Sequence, residues 1–171
     1  MRAQICFFVS ILFSFVAWGV VAGSVILPEL RGRGRNEALQ PLLMFHSLRF
    51  VGLAFLVPGV VSPDLPAVFA EGAAYGDIVA AALALLTLAL LPGRPGIVAA
   101  WVFNLWGLAD IIHANYEGIR LGVEAGQLGA AYFLPTFIVP LFVITHGFMF
   151  WLLLRNANEV AVAGRGAARP M

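Results

Sequence analysis

Residues 41–57, PLLMFHSLRFVGLAFLV, set a histidine and an arginine inside a run otherwise apolar enough to lie in a bilayer. A charged group at the bilayer centre costs roughly 2.5 to 17 kcal/mol, depending on how it is measured. A chain that keeps His46 and Arg49 at such depth must compensate them from its other segments. That requirement defines the inward face of whatever bundle forms.

The other segments suit the role. Apolar runs at about 5–27, 41–61, 77–91, 97–115 and 131–154 approach the ~20 residues a spanning helix needs. Composition agrees: 61% of residues are apolar and mean hydropathy is +0.94, while 11% are charged against roughly 25% in soluble domains. The expected fold is all-α: an integral membrane bundle of five transmembrane helices, with short interfacial helices on the outer side. Residues 1–155 form this single bundle, and 156–171 are expected to be a disordered cytoplasmic tail. The first run exceeds the apolar core of a secretory signal and is read as a retained span. Its Gly19 and Gly23 are spaced to let another helix approach closely, or are incidental small residues.

Breakers punctuate the rest. Pro41 is expected at the first position of the second helix, and Pro58 ends it. Residues 62–76 are expected to hold a short interfacial turn at 67–74, with the third helix starting near Asp77, or a turn earlier at Ala73. PGRPG, residues 92–96, is a turn. Residues 116–130 are a glycine-punctuated loop or a surface helix, and Pro135 and Pro140 bend the fifth span.

Five spans put the termini on opposite sides. The first loop, the PGRPG turn and the tail share one side and hold Arg31, Arg33, Arg35, Arg94, Arg155, Arg165 and Arg169; the other side holds Arg2 and Arg120. Arginine marks the cytoplasmic face. The expected location is therefore a bacterial inner (plasma) membrane, N-terminus outside and C-terminus in the cytosol.

This topology converts position into depth. His46 and Arg49, three apart on one helical face, fall level with His146 of the fifth span in the inner leaflet. Asp110 and His113 of the fourth span, with Asp77, form an outer set, and Asn104 lies between the two. The inner histidines could hold haem b as a bis-imidazole pair, relay protons, or satisfy neighbouring backbone, with His146 bonding into the Pro140 bend. The outer carboxylates could bind a cation or pass a proton, or be ordinary helix-end groups, with Asp77 a cap or first-turn acid.

Several classes drop out. The lone Cys6 permits no internal disulfide or multi-cysteine metal site, and no zinc spacing, phosphate loop, dinucleotide fingerprint or nucleophile elbow is present. Net charge of +1 implies no nucleic acid partner. Three readings remain, in this order. The first is a non-catalytic multi-pass protein, a subunit, assembly or scaffold protein whose buried polar groups fix helix packing. The second is proton-linked or small-solute permeation along Asp110/His113 to His46/Arg49. The third is haem binding through His46 and His146. The expected partners are the lipid bilayer and a second copy or other membrane subunits.

Overall fold

The computed structural model describes residues 2–155, so the expected tail lies outside the described residues. Five long helices account for most of them: α1 (Arg2–Arg31), α2 (Arg35–Leu56), α3 (Ala67–Leu90), α4 (Arg94–Arg120) and α5 (Leu134–Leu154). Each is long and apolar enough to cross a membrane. No strand occurs among the described residues.

Helix boundaries differ from expectation, mostly by extension: α1 runs on to Arg31 and α4 starts at Arg94, within the expected loop and turn, while α2 stops at Leu56 and α5 starts at Leu134. α2 begins at Arg35, so Pro41 sits inside it and not at its first position. α3 begins at Ala67, so residues 67–74 are its first turns and not a separate interfacial element. Asp77 is thus neither cap nor first-turn acid but lies about three turns inside the helix. α4 continues to Arg120 and takes up what was expected to be loop. Longer helices carry their acidic residues deeper. A short 3-10 helix, Ala125–Tyr132, does lie at that end, opened by a capping box between Glu124 and Gln127.

Close packing comes from small residues. α3 buries Ala70, Ala73, Ala74, Ala80, Ala81 and Ala84, which lets α2 and α4 approach its backbone. Two apolar cores result. One, toward the arginine-rich loops, gathers Leu39, Leu43, Phe103, Met149 and Leu152, all fully buried. The other, toward the opposite end, gathers Phe55, Leu65, Ala74 and Leu128. The polar residues lie between these cores.

The ends are tied by hydrogen bonds. Asn36 Nδ2 donates to the Pro92 carbonyl at 3.0 Å, joining the start of α2 to the PGRPG turn. At the other end Ser62 N donates to Gln127 O (2.9 Å) and Ala130 N to Val60 O (2.8 Å). Helix α1 is peripheral: Phe8, Leu12, Phe13 and Val16 are all exposed. Its hydrogen bonds to α5 converge on one carbonyl, that of Phe137, to which Trp18 Nε1 donates at 2.8 Å and Ser14 Oγ at 3.3 Å. That carbonyl belongs to a π-helical turn, Leu134–Ile138, just before Pro140. A Cβ at Gly19 or Gly23 would meet nothing within 4 Å, so among the described residues no other helix packs closely on this pair.

Candidate functional site

Arg49 is the largest fully buried side chain. It sits in the second half of α2, Ser47–Leu56, which is wound as a 3-10 helix. Side chains three apart eclipse one another in that winding. His46, Arg49, Gly52 and Phe55 consequently form one buried line, while Leu48, Phe50, Leu53 and Leu56 are exposed.

Every neighbouring helix of the bundle answers the guanidinium. Nε donates to Asp77 Oδ1 of α3 at 2.7 Å, and Nη2 to Asp110 Oδ2 of α4 at 2.6 Å. Nη1 donates to the Gly107 carbonyl of α4 at 2.9 Å and faces His146 Nε2 of α5 at 3.5 Å. The ring of Phe142 lies 5.4 Å from Cζ. One cation therefore links α2 to α3, α4 and α5. The two groups expected at different depths are a single cluster: the extended α3 and α4 bring Asp77 and Asp110 level with Arg49.

The histidines extend this cluster toward the arginine-rich end. His146 Nδ1 lies 2.7 Å from Asn104 Oδ1, and Asn104 Nδ2 donates to the His146 carbonyl at 3.3 Å. His146 is therefore protonated at Nδ1 and turns its Nε2 lone pair to Arg49. The Thr145 hydroxyl donates back to the Leu141 or Phe142 carbonyl, so it accepts from His46 Nε2 at 3.0 Å. His46 Nδ1 is left as a buried acceptor with no partner. The expectation that His146 bonds into the Pro140 bend is not met: its ring nitrogens face Asn104 and Arg49.

A haem between the histidines does not fit this geometry. Axial ligation needs a porphyrin plane between two imidazoles that each aim a nitrogen at its centre. Here the rings touch, with centroids 4.3 Å apart and planes at 47°. Both Nε2 atoms and His146 Nδ1 already face Thr145, Arg49 and Asn104.

Glycines make room for the cluster, and none of them was singled out by sequence. An ideal Cβ on Gly52 would overlap the Asp77 carboxylate, and one on Gly76 would overlap that of Asp110. A Cβ on Gly107 would stand 2.7 Å from His146 Cε1 and 2.9 Å from Arg49 Nη1. The available signal was their spacing: Gly52 and Gly107 lie three residues from Arg49 and Asp110, and Gly76 precedes Asp77. Gly107→Ala is expected to cost about 1–3 kcal/mol through overpacking. The check is the thermal unfolding midpoint of the purified variant beside Gly147→Ala, where a Cβ meets nothing.

The cluster is also the floor of a cavity of about 600 Å³ between α1 and α4. Phe7, Phe8 and Ile11 of α1 form one wall, and Ile111, Ala114 and Ile119 of α4 the other. Residues 6–154 match the family model described as a domain of unknown function, DUF8737. The chain belongs to that family. No curated protein and no solved structure matches it. The match runs through all five helices of this DUF8737 domain, so the polar cluster and the cavity both fall within it.

Of the residues expected to act together, Arg49, Asp77, Asp110, Asn104, His146 and His46 form one connected layer. His113 stands apart, exposed on α4. Asn104 does not line a passage: it is fully buried against His146. No group of three or more metal-ligating side chains occurs among the described residues.

Proposed function

We propose that this DUF8737 protein is a multi-pass membrane protein of non-catalytic type, a subunit or scaffold whose helices are locked by the Arg49 layer. The observation that carries this reading is the guanidinium itself, 1% exposed and bonded to three other helices. Within the cluster the imidazole nitrogens are committed to neighbours, apart from a sealed His46 Nδ1.

Permeation has less support. The cavity reaches Arg49, Asp77 and Asp110 and ends there. Toward the arginine-rich loops lies the dry core of Leu39, Leu43, Phe103, Met149 and Leu152. Proteoliposomes holding the protein are expected to acidify no faster than empty ones under an imposed pH gradient. A flux above that background which Asp110→Asn removes would overturn this reading.

The bundle inserts with its arginine-rich edge in the cytosol. Arg31, Arg33, Arg35, Arg94 and Arg155 gather at one end of the helices, and Arg2 and Arg120 at the other. A single cysteine at Arg33, in a Cys6→Ser background, should react with a membrane-impermeant maleimide only after the cells are opened. Labelling of intact cells would reverse the orientation.

A further inference from the structure

We propose that the cleft between α1 and α4 is a binding site for a lipophilic amine: a molecule with one ammonium group and a compact apolar body, entering from the bilayer. Four observations converge on it.

The first is shape. The cavity, at about 600 Å³, has the size of sites for drug-sized molecules and is lined largely by aromatic and aliphatic side chains. The second is access. Helix α1 packs on α5 and on the Ala125–Tyr132 segment, not on α4, so the cavity opens sideways past Phe8 and Ile119, which are 62% and 84% exposed. In a bilayer that opening faces lipid tails.

The third is charge. Two carboxylates meet one guanidinium at the floor, and Glu124 adds a third acid at the rim. His113 is absent from the lining, so Arg49 is its only cationic side chain. An added monocation balances the floor, whereas an added anion would face three acids. The fourth is unused hydrogen-bonding capacity. Arg49 occupies one oxygen of each aspartate; Asp77 Oδ2 and Asp110 Oδ1 accept no bond among the described residues and rest against Gly52 and Gly76, neither of them fully buried. Asp110 is nine-tenths buried, its side chain 10% exposed. An ammonium head with three N–H donors matches two open carboxylate oxygens. The apolar body then lies against Phe7, Phe55 and Ile111.

The test uses full-length protein in phosphatidylcholine nanodiscs and a photoreactive alkylamine bearing a diazirine. Crosslinks are mapped by mass spectrometry and competed with dodecylamine, dodecanol or dodecanoate. The expected result is labelling on α1 and α4 around Phe8, Ile111 and Ile119, displaced by the amine at a concentration about tenfold or more below the alcohol. Asp110→Asn should weaken that displacement about tenfold. Because Asp110→Asn also disturbs the fold, Ala114→Phe is the second variant: it fills the cavity from the α4 wall without touching the charges, and should abolish labelling while the melting temperature holds. Equal competition by amine and alcohol would mean that the cavity takes up apolar chains only and would overturn the proposal. Stronger competition by the carboxylate, or labelling that survives Ala114→Phe, would overturn it as well.

Discussion

Arg49→Leu is expected to lower the melting temperature of the detergent-purified protein by roughly 10 °C or more, while Arg94→Leu leaves it nearly unchanged. Removing the guanidinium leaves Asp77 and Asp110 facing each other across a layer closed on one side by a dry core. Breaking a buried ion pair from one side costs about 3–5 kcal/mol, because the partner remains buried without its counter-charge. The Gly107 carbonyl and His146 Nε2 lose their donor at the same time. Arg94 is exposed at the start of α4 and has no such partner among the described residues. Arg49→Lys should recover little, since one ammonium cannot span two carboxylates, a carbonyl and an imidazole as the planar fork does. Replacing all three charges with apolar side chains of similar volume should recover more than Arg49→Lys. That result would identify the two carboxylates left behind, and not the lost packing, as the main cost. Matching melting curves for Arg49→Leu and Arg94→Leu would contradict the central role given to this residue.

The second large effect is expected at Gly129, compared with Gly122. Both have positive φ, 52° and 64°. Gly122 is in the left-handed region with nothing near its missing Cβ, so alanine there should cost about 1–2 kcal/mol. Gly129 combines its φ with ψ of −130°, a region essentially limited to glycine. A Cβ there would overlap the Val60 carbonyl, which accepts the Ala130 N–H. Gly129→Ala therefore must displace backbone, detaching residues 57–66 from the Ala125–Tyr132 segment. The expected signature is a melting temperature well below that of Gly122→Ala, with proteolytic nicking in the 57–66 loop that Gly122→Ala does not show. Equal stability of the two variants would show that this contact is not needed.

The five helices were legible because length and apolarity alone mark them. Their ends were not: Glu71, Glu117 and Arg120 looked like loop residues, and Asp77 like a helix-end acid, because charge was taken to mean exposure. Glu117 and Arg120 instead pair within the last turn of α4. That misreading raised Asp77 and Asp110 toward the outer surface and split one cluster into two. Direction was harder still. In water, Phe50 and Leu53 would mark the buried face of α2. In lipid they point outward as readily as Phe55 points inward, so hydrophobic periodicity does not distinguish the two. Polar and small residues carried the information instead, at a period of three: His46, Arg49 and Gly52. His113 shows the limit of that signal, since it lies near Asp110 in sequence and still makes no hydrogen bond or ion pair to the cluster among the described residues.

The 3-10 winding of Ser47–Leu56 has a mechanical consequence. Ten residues rise about 20 Å in that form and about 15 Å as an α-helix. Rewinding would shorten α2 by about 5 Å and swing Arg49 off the line it shares with Gly52 and Phe55. Because Arg49 bonds to α3 and α4 from this winding, any change of winding would break those bonds and carry the start of the 57–66 loop along the helix axis.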